Sequence, residues 1–248
     1  MAVNVLIPSA GVSEFFKNSY YPKVLMDVNG KPMVQRVLEE YAQIKDVHYI
    51  MILKEEECRK FHTDHIARLV TNGNCDVIQL KNETAGALCT SLMAISYVNG
   101  KDPLMIVNND EIRDVDYKEV LTYFESKQAD AGLITFENIH PRWTYIRTEK
   151  DYVVEVAEKK PISKNAVAGF YYFRHGCDFV DVAEKKIRKG DTGNGVYYIS
   201  GSINELILAN KKVVYYPIKA RQFHSLYSME KIKEYERQVT DSEVSRYS

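Results

Sequence analysis

Short apolar runs alternate with helix-like segments over the first 110 residues, and this alternation constrains the fold more than any other feature. The runs cover residues 5–7, 47–53, 75–80 and 103–108. Between them, apolar residues recur at helical spacing over residues 31–45, 55–70 and from about 85 to 97. Strands that alternate with helices in this way form a parallel sheet with helices on both faces. The first half of the chain is therefore predicted to be an α/β unit.

The second half changes character, because its predicted strands are separated by short turns. These strands cover residues 131–137, 143–147, 152–158 and 166–174. Such spacing favours an antiparallel or mixed extension of the sheet. Further predicted elements are helices at 178–189, 198–209 and 228–239, the last capped by Ser228, a loop at 190–195 and a strand at 213–218. We find no repeat, linker or composition break and predict one domain, 1–248, with halves 1–127 and 128–248.

Charge and composition exclude several classes of partner. Lys plus Arg total 33 against 34 for Asp plus Glu, which gives a net charge of -1 and no basic field that would attract nucleic acid. No apolar run approaches the roughly 18 residues that span a membrane. The four cysteines show no Cys-x-x-Cys spacing, and the N-terminus has no secretory h-region. We therefore expect a cytoplasmic protein with reduced thiols that binds neither nucleic acid nor membrane.

The loop after the first apolar run lies where open α/β sheets hold their ligands, at the carboxyl end of a strand. It contains Gly11 and Ser13 and leads to Pro22 and Lys23. Backbone amides near residues 11–13 are candidates to cradle phosphates, and Lys23 is a candidate to neutralise them. An Asn29-Gly30 turn then precedes the predicted helix at 31–45. Pro32 suits the first turn of that helix.

Three groups of motifs in this order resemble those of the nucleotidyltransferases that make NDP-sugars and related activated alcohols. The first is Ala10-Gly11, then YPKVL at 21–25 and VNGKPM at 28–33. The second is EKKP at 158–161, followed by AGFY at 168–171. The third is GVYYIS at 195–200, followed by SINELI at 202–207. The resemblance spans nearly the whole chain and implies a Rossmann-like, mostly parallel sheet flanked by helices, of the GT-A-like nucleotidyltransferase type.

That resemblance implies transfer of an NMP from an NTP to a phosphorylated sugar, polyol or small alcohol, with release of pyrophosphate. The implied catalytic residues are Lys23 and Asp110. Residues implied to bind the nucleotide are Ala10, Gly11, Ser13, Lys17, Lys23 and Gly86, with the base lying over Gly86. Residues implied to bind the acceptor are Glu158, Lys159 and Gly169, and Trp143 with Arg142 and Tyr145 is a further candidate lining. Whether Lys159 or Lys160 takes the family role is left open by the extra lysine.

The implied cofactor is Mg²⁺, which carboxylates suit because Mg²⁺ also binds substrate phosphates. Asp110 follows the fourth predicted strand, where the family has a metal-binding Gly-Asp pair, although Asn109 replaces the glycine. Glu111 is an alternative ligand. His224 falls near the position of the family's second metal aspartate, although an imidazole suits Mg²⁺ less well.

The first loop departs from the family pattern, which has an arginine that grips the triphosphate. Glu14 falls near that position and would repel a triphosphate, which leaves Lys17 and Lys23 to supply positive charge. Two alternatives follow. One is a GT-A glycosyltransferase, whose Asp-x-Asp motif is loosely approximated by Asp110-Glu111 and by Asp114 with Asp116. The other is a degenerate relative that binds a nucleotide without catalysis.

The short length resembles that of enzymes of surface-polysaccharide pathways. Homo-oligomers are common in the family, and the sequence does not set the number of subunits.

Overall fold

The computed structural model describes residues 2–11, 13–192 and 195–247. Its strands are β1 (Val3–Pro8), β2 (Asp27–Val28), β3 (Lys31–Pro32), β4 (Val47–Lys54), β5 (Cys75–Leu80), β6 (Leu104–Val107), β7 (Glu111–Arg113), β8 (Ala131–Glu137), β9 (Tyr145–Glu149), β10 (Tyr152–Ala157), β11 (Asn165–Phe173), β12 (Val213–Ile218) and β13 (Phe223–Ser225). Its helices are α1 (Met33–Glu39), α2 (Glu55–Phe61), α3 (Thr63–Val70), α4 (Ala87–Leu92), α5 (Ile95–Val98), α6 (Tyr117–Ser126), α7 (Gly176–Arg188), α8 (Ile199–Leu208) and α9 (Met229–Tyr247).

Nine strands form one mixed sheet in the order β5-β4-β1-β6-β11-β8-β12-β10-β9. The first four are mutually parallel, β11 is antiparallel to β6 and β8, and β12 is parallel to β8. The hairpin of β9 and β10 extends the far edge. The predicted α/β fold class, with a parallel first half and a mixed extension, is confirmed. The sheet runs through residues of both halves of the chain.

Alternating side chains of β1 explain why its apolar run is continuous. Val5 and Ile7 pack in one core, and Leu6 packs in a second core on the opposite face of the sheet. All three are at most 1% exposed. A strand covered on both faces needs apolar residues at successive positions. Because β1 lies centrally between β4 and β6, its carboxyl end opens into the middle of the sheet edge.

Three predicted helical features are wrong. Residues 55–70 form two helices, because His62 takes the left-handed conformation with φ of 55°. The helix at 31–45 is shorter, since Lys31 and Pro32 pair with Asp27 and Val28 before α1 begins.

The helix predicted from about 85 to 97 is divided into α4 and α5, and Gly86 precedes α4 without a side-chain cap. Ser228 does cap α9 through a bond from the amide of Lys231. The predicted loop at 190–195 falls partly on residues 193 and 194, which lie outside the described residues.

Helix α6 is an element that the sequence interpretation omits. Asp116 caps it by accepting bonds from the amides of Lys118 and Glu119. A second small sheet pairs β7 with β13, and it brings the segment before α9 against the segment after β6. Within the described residues, no helix has both the length and the apolar character needed to cross a membrane.

Candidate active site

Lys23 and Asp110 meet at the carboxyl ends of the central strands. The ammonium nitrogen of Lys23 donates to a carboxylate oxygen of Asp110 across 3.0 Å, although 87 residues separate them in the chain. Both side chains are less than one-fifth exposed. The loop after β1 supplies the lysine, and the turn after β6 supplies the aspartate. Two residues that the sequence predicted to be catalytic are therefore in direct contact.

On one side of this ion pair lies a cavity of about 310 Å³, which we call the loop cavity. Its polar lining includes Ser9, Gly11, Ser13, Lys17, Lys23, Lys54, Lys60 and Asn109, so that four lysines face two carboxylates, Glu56 and Glu57. Ala10 is buried beneath the loop. Residue 12, part of the predicted phosphate-binding stretch, lies outside the described residues. The hydroxyl of Ser9 is buried and has no hydrogen-bond partner in the described part of the chain.

Glu14 and Lys17 form an ion pair of 3.1 Å between side chains that are mostly exposed. Lys17 lines the loop cavity and Glu14 does not. The negative charge that was expected to repel a triphosphate is thus directed at a neighbouring lysine. Lys54 and Lys60 add positive charge that the sequence interpretation omits, and Lys60 lies over the rings of Tyr20 and Phe61.

On the other side of the ion pair lies a cavity of about 240 Å³, which we call the strand cavity. Asp110 lines it, as do the predicted acceptor residues Trp143, Glu158 and Gly169. One carboxylate oxygen of Glu158 accepts hydrogen bonds from the hydroxyls of Thr144 and Ser200. These two hydroxyls fix the Glu158 carboxylate at the cavity wall.

Lys159 does not line the strand cavity among the described residues, although its neighbour Glu158 does. Its ammonium group donates to the hydroxyl of Tyr198 across 3.0 Å and lies over the same ring. Lys160 is exposed and also lies outside the cavity lining. Tyr145 is buried and donates to the carbonyl of His140. Tyr198 itself lines the strand cavity, so Lys159 lies behind a lining residue, whereas Lys160 and Tyr145 are not in the described lining.

Position 169 has to be glycine because the carboxylate of Glu111 occupies the space that a side chain would need. The φ of Gly169 is +52°, and a Cβ atom there would lie 1.8 Å from Oε2 of Glu111 and 2.4 Å from Nδ2 of Asn108. Asn108 donates to Oε1 of Glu111 at 3.0 Å, whereas Oε2 is buried without a hydrogen-bond partner in the described residues. Burial raises the pKa of Glu111, and the neighbouring Asp110 carboxylate adds to this.

Arg113 forms a buried polar network beneath Gly169 and Glu111. Its guanidinium donates to the carbonyl of Ala168 at 2.7 Å and to the hydroxyls of Tyr41 and Tyr117 at 3.0 Å. It also lies 3.5 Å from the Glu40 carboxylate and 3.6 Å from that of Glu111. Side chains alternate between the two faces of a strand, so Glu111 and Arg113 lie on the same face of β7. This spacing is the one feature of the sequence that could have indicated the network.

Gly86 marks a close contact between two backbone segments. Its φ is +123°, and a Cβ atom there would lie 2.5 Å from the carbonyl oxygen of Tyr197. The amides of Leu88 and Tyr197 bond across the same contact. This packing explains the glycine independently of any ligand, and contact of Gly86 with a base stays a prediction.

His224 is engaged away from the strand cavity. Its Nε2 lies 2.8 Å from a carboxylate oxygen of Asp114, and its ring packs against Tyr235. The next residue, Ser225, lines the strand cavity instead, because successive residues of β13 face opposite sides. The structure therefore does not bring His224 to Asp110.

The donors in the strand cavity fit Mg²⁺. No cluster of three or more His, Cys, Asp or Glu side chains that could hold a metal occurs in residues 2–11, 13–192 and 195–247. Mg²⁺ usually binds one or two carboxylates together with waters and substrate phosphates, so such a cluster is not needed. Asp110 and Oε2 of Glu111, which accepts no hydrogen bond in the described residues although Arg113 lies 3.6 Å away, offer the hard oxygen ligands that this ion prefers.

A model of the family described as nucleotidyl transferase matches residues 18–222, which include Lys23, Asp110, Glu158 and Gly169. The chain belongs to the nucleotidyl transferase family. This confirms the family that the motifs predicted. The matched range begins after Glu14 and Lys17 and ends before His224. Glu14 and His224 are positions at which the sequence departs from the family motifs.

Among curated relatives of this nucleotidyl transferase, the bifunctional protein GlmU of Thermosipho africanus is 27% identical over 207 residues. The match covers 80% of this chain and 42% of the relative. GlmU of Brevibacillus brevis is 26% identical over 226 residues, or 86% of this chain and 46% of the relative. The chain thus spans less than half the length of the relatives it matches.

Solved structures share the fold at lower identity. A nucleoside-diphosphate-sugar pyrophosphorylase from Vibrio cholerae has a TM-score of 0.82 and 20% identity, with 94% of this chain and 99% of that chain covered. UDP-glucose pyrophosphorylase from Acinetobacter baumannii has a TM-score of 0.72 and 16% identity, with coverages of 95% and 92%. The GT-A-like nucleotidyltransferase fold is thereby confirmed.

Proposed function

We propose that this nucleotidyl transferase transfers an NMP from an NTP to a phosphorylated sugar, polyol or small alcohol, releasing pyrophosphate. The observation that carries the proposal is the Lys23–Asp110 ion pair, which lies between a lysine-lined cavity and a carboxylate-lined cavity. A reaction that joins two substrates at an α-phosphorus needs such a junction. The lysines of the loop cavity suit a triphosphate on one side, and the strand cavity suits the acceptor on the other.

In the proposed reaction, a phosphate oxygen of the acceptor forms a bond to the α-phosphorus of the NTP. The bond from the α-phosphorus to the bridging β-oxygen breaks, and pyrophosphate leaves with that electron pair. Positioning and electrostatic stabilisation supply most of the catalysis in such transfers. Lys23 would stabilise the phosphate charge at the junction, and Lys17, Lys54 and Lys60 would bind the departing end in the loop cavity.

Asp110 would hold Mg²⁺, with Glu111 as the adjacent oxygen donor. When bound there, Mg²⁺ would neutralise the charge that develops on the phosphates as pyrophosphate leaves. The Lys23 ammonium, which now pairs with Asp110, would then be released toward the substrate phosphates. Asp110 would thus exchange one cation for another when the substrates enter.

Glu158, Gly169 and Trp143 would bind the acceptor in the strand cavity. A carboxylate anchored by two hydroxyl donors can still accept hydrogen bonds from hydroxyl groups of a sugar or polyol. Structural relatives named as sugar-nucleotide pyrophosphorylases support a sugar phosphate as the first acceptor to test. A role in surface-polysaccharide synthesis, a cytoplasmic location and a homo-oligomeric state complete the proposal.

The test is release of pyrophosphate when the protein is mixed with Mg²⁺, each of the four NTPs and a panel of sugar, polyol and small-alcohol phosphates. We expect release for at least one pair and none after chelation of the metal. Absence of release with every pair, together with tight binding of an NDP-sugar, would favour the glycosyltransferase. Thermal stabilisation by an NTP that is insensitive to Mg²⁺ and to Asp110→Ala would favour the non-catalytic binder.

A further inference from the structure

We infer that Arg142 binds the phosphate group of the acceptor. Arg142 lies between β8 and β9 and is half-buried in the wall of the strand cavity. Its guanidinium carbon lies 3.3 Å from the ring centre of Tyr227 and 5.0 Å from that of Trp143. In the part of the chain that the structure describes, its side chain makes no ion pair and no hydrogen bond. The wall of the strand cavity thus holds a guanidinium group whose N–H donors are free.

Stacking on aromatic rings leaves the donors of a guanidinium free. The contact with Tyr227 uses the face of the planar group, whereas the N–H bonds lie in its plane. A fixed planar fork matches two oxygens of a phosphate, and charge-assisted bonds of this kind are among the strongest that proteins make. Arg142 is therefore held in advance in a form that suits a phosphate.

The charge of the strand cavity makes such a cation necessary. Asp110, Glu111 and Glu158 line the cavity, and Arg142 is the one cationic side chain among its described lining residues. Lys23 reaches the boundary but pairs with Asp110. Without Arg142, a phosphorylated acceptor would meet the Glu158 carboxylate, which accepts bonds from two hydroxyls and makes no ion pair within the described residues.

The position of Arg142 also separates it from the lysine that the family resemblance implied. Lys159 is not in the described lining, and its ammonium group is already bonded to the hydroxyl of Tyr198, a residue that does line the strand cavity. We assign the phosphate of the acceptor to Arg142 and not to Lys159. Tyr227 is then a positioning residue that supplies the stacking surface.

Arg142 also borders a third cavity of about 330 Å³, between β13 and α9, on the other side of Trp143 and Tyr227. The acceptor phosphate must, however, reach the Lys23–Asp110 junction. Asp110 lines the strand cavity and is absent from the described lining of the third cavity. The productive site for the phosphate is therefore on the strand-cavity side.

Trp143 is the single tryptophan of the chain, so its fluorescence reports binding beside Arg142. The probes are inorganic phosphate, glucose 1-phosphate, mannose 1-phosphate and glycerol 3-phosphate, each titrated without NTP and compared with glucose, mannose or glycerol. We expect a fluorescence change that requires the phosphate group. Arg142→Ala should weaken apparent affinity about 10-fold to 100-fold, and Arg142→Lys should weaken it less, because charge is kept but the fork is lost.

Arg147→Ala, which removes an exposed arginine paired with Glu155, is the matched control, and Lys159→Ala tests the rival ligand. Both should bind the probes like the wild-type chain. In turnover assays, Arg142→Lys should raise the KM of the acceptor and leave the KM of the NTP unchanged. Tyr227→Leu should resemble Arg142→Lys if the ring positions the guanidinium.

The inference is overturned if no phosphate-dependent change occurs, if Arg142→Ala binds like wild type, or if Lys159→Ala causes the loss instead. It rests on the proposed function, since it assumes a phosphorylated acceptor, but binding is measured without turnover. Phosphate-dependent binding lost in Arg142→Ala, with no pyrophosphate released by wild type in any pairing, would reject the proposed transfer and retain the site.

Discussion

The two cavities on either side of Lys23 and Asp110 are built in opposite ways. The loop cavity is bordered by an exposed segment in which Glu14 and Lys17 form a solvent-facing ion pair. The strand cavity rests on Arg113, whose side chain is fully buried and bonded to several groups. Exposed ion pairs contribute little to stability, whereas breaking a buried network leaves uncompensated polar groups.

This difference indicates a division of labour. A loop with few internal bonds can adapt to a flexible triphosphate chain, and its lysines act as point charges. A wall fixed by a buried network keeps carboxylates and rings in place for one acceptor. We call the wall of the strand cavity, with the Arg113 network beneath it, the strand wall. We therefore expect substitutions in the loop to lower activity with little effect on stability, and substitutions in the strand wall to lower the free energy of unfolding.

Asp110 lies at the junction, and its substitution should have the largest effect on catalysis. Asp110→Asn should lower kcat about 1000-fold, or about 4 kcal/mol, because it removes the anionic ligand that the proposed function assigns to Mg²⁺. The assay is pyrophosphate release at saturating Mg²⁺. Asp114→Asn is the control, since Asp114 bonds His224 outside the described lining of both cavities. A loss below about tenfold in Asp110→Asn would show that the junction is not the reacting centre.

Gly169→Ala tests the rigidity of the strand wall. The new methyl group would overlap Oε2 of Glu111 in a backbone conformation that already disfavours side chains, so we expect a loss of about 3 kcal/mol in the free energy of unfolding. Gly190→Ala is the matched control, because its φ of +64° is similar but no atom lies within 4 Å. That control should cost about 1 kcal/mol in urea unfolding. Equal losses of unfolding free energy in the two variants would show that the strand wall adapts to the added methyl group as readily as an open loop does.

Lys23→Ala and Lys17→Ala compare two lysines of the loop cavity. Lys23→Ala should lower kcat/KM for the NTP about 100-fold, or about 2.7 kcal/mol, because Lys23 reaches the junction. Lys17→Ala should lower it less than about threefold, since Lys17 is exposed and paired with Glu14. Both variants should unfold at the wild-type urea concentration. A loss of stability in Lys23→Ala comparable to that of Gly169→Ala would contradict the proposed contrast.

Glu40 gives the strand wall a pH dependence that the loop should lack. Burial raises its pKa from 4.5 to about 7, although Arg113 and a bond from Tyr117 oppose the shift, and Asp114 adds to it. Between these values the folded chain holds a proton that the unfolded chain releases. The contribution of Glu40 to the free energy of unfolding is therefore present below pH 4.5 and is lost as the pH rises through about 7.

We expect the stability of wild type relative to Glu40→Gln to fall by about 3 kcal/mol across that interval. The measurement is urea unfolding at a series of pH values. The neighbouring Glu39→Gln is the control, because bonds from Lys31 and Gln35 outweigh burial and lower the pKa of Glu39. The difference between wild type and Glu39→Gln should not fall in that interval. A constant difference between wild type and Glu40→Gln would show that Glu40 is ionised throughout.

Several elements could be predicted from the sequence because their signals are local. The apolar runs predicted the parallel strands, and the ordered motifs predicted the family and the neighbourhood of Lys23, Asp110 and Glu158. Helix α6 also has a local signal, since Tyr117, Val120 and Phe124 recur at helical spacing and are buried. The break at His62 has none, because no glycine or proline interrupts the apolar pattern there.

Other parts of the site could not be predicted, because their partners come from distant segments. Arg113 bonds Tyr41, which follows α1, Tyr117 of α6 and Ala168 of β11. Lys159 follows Glu158 directly, yet it is bonded to Tyr198 of the cavity wall and is not itself in the described lining of the strand cavity. His224 was expected near Asp110, but pairing of β13 with β7 directs it to Asp114. One residue of register decides which side chain of a strand faces a cavity.

The sequence by itself determined the alternation of parallel strands with helices in the first half, the family and the chemical types of residue at the site. These follow from periodicity and from short motifs, which are properties of neighbouring residues. Only the tertiary structure decided that Lys23 pairs with Asp110, that Glu14 faces Lys17, and that Arg142 stacks on Tyr227 with its donors free. The energy of a charge depends on what surrounds it after folding, and long-range packing sets those surroundings.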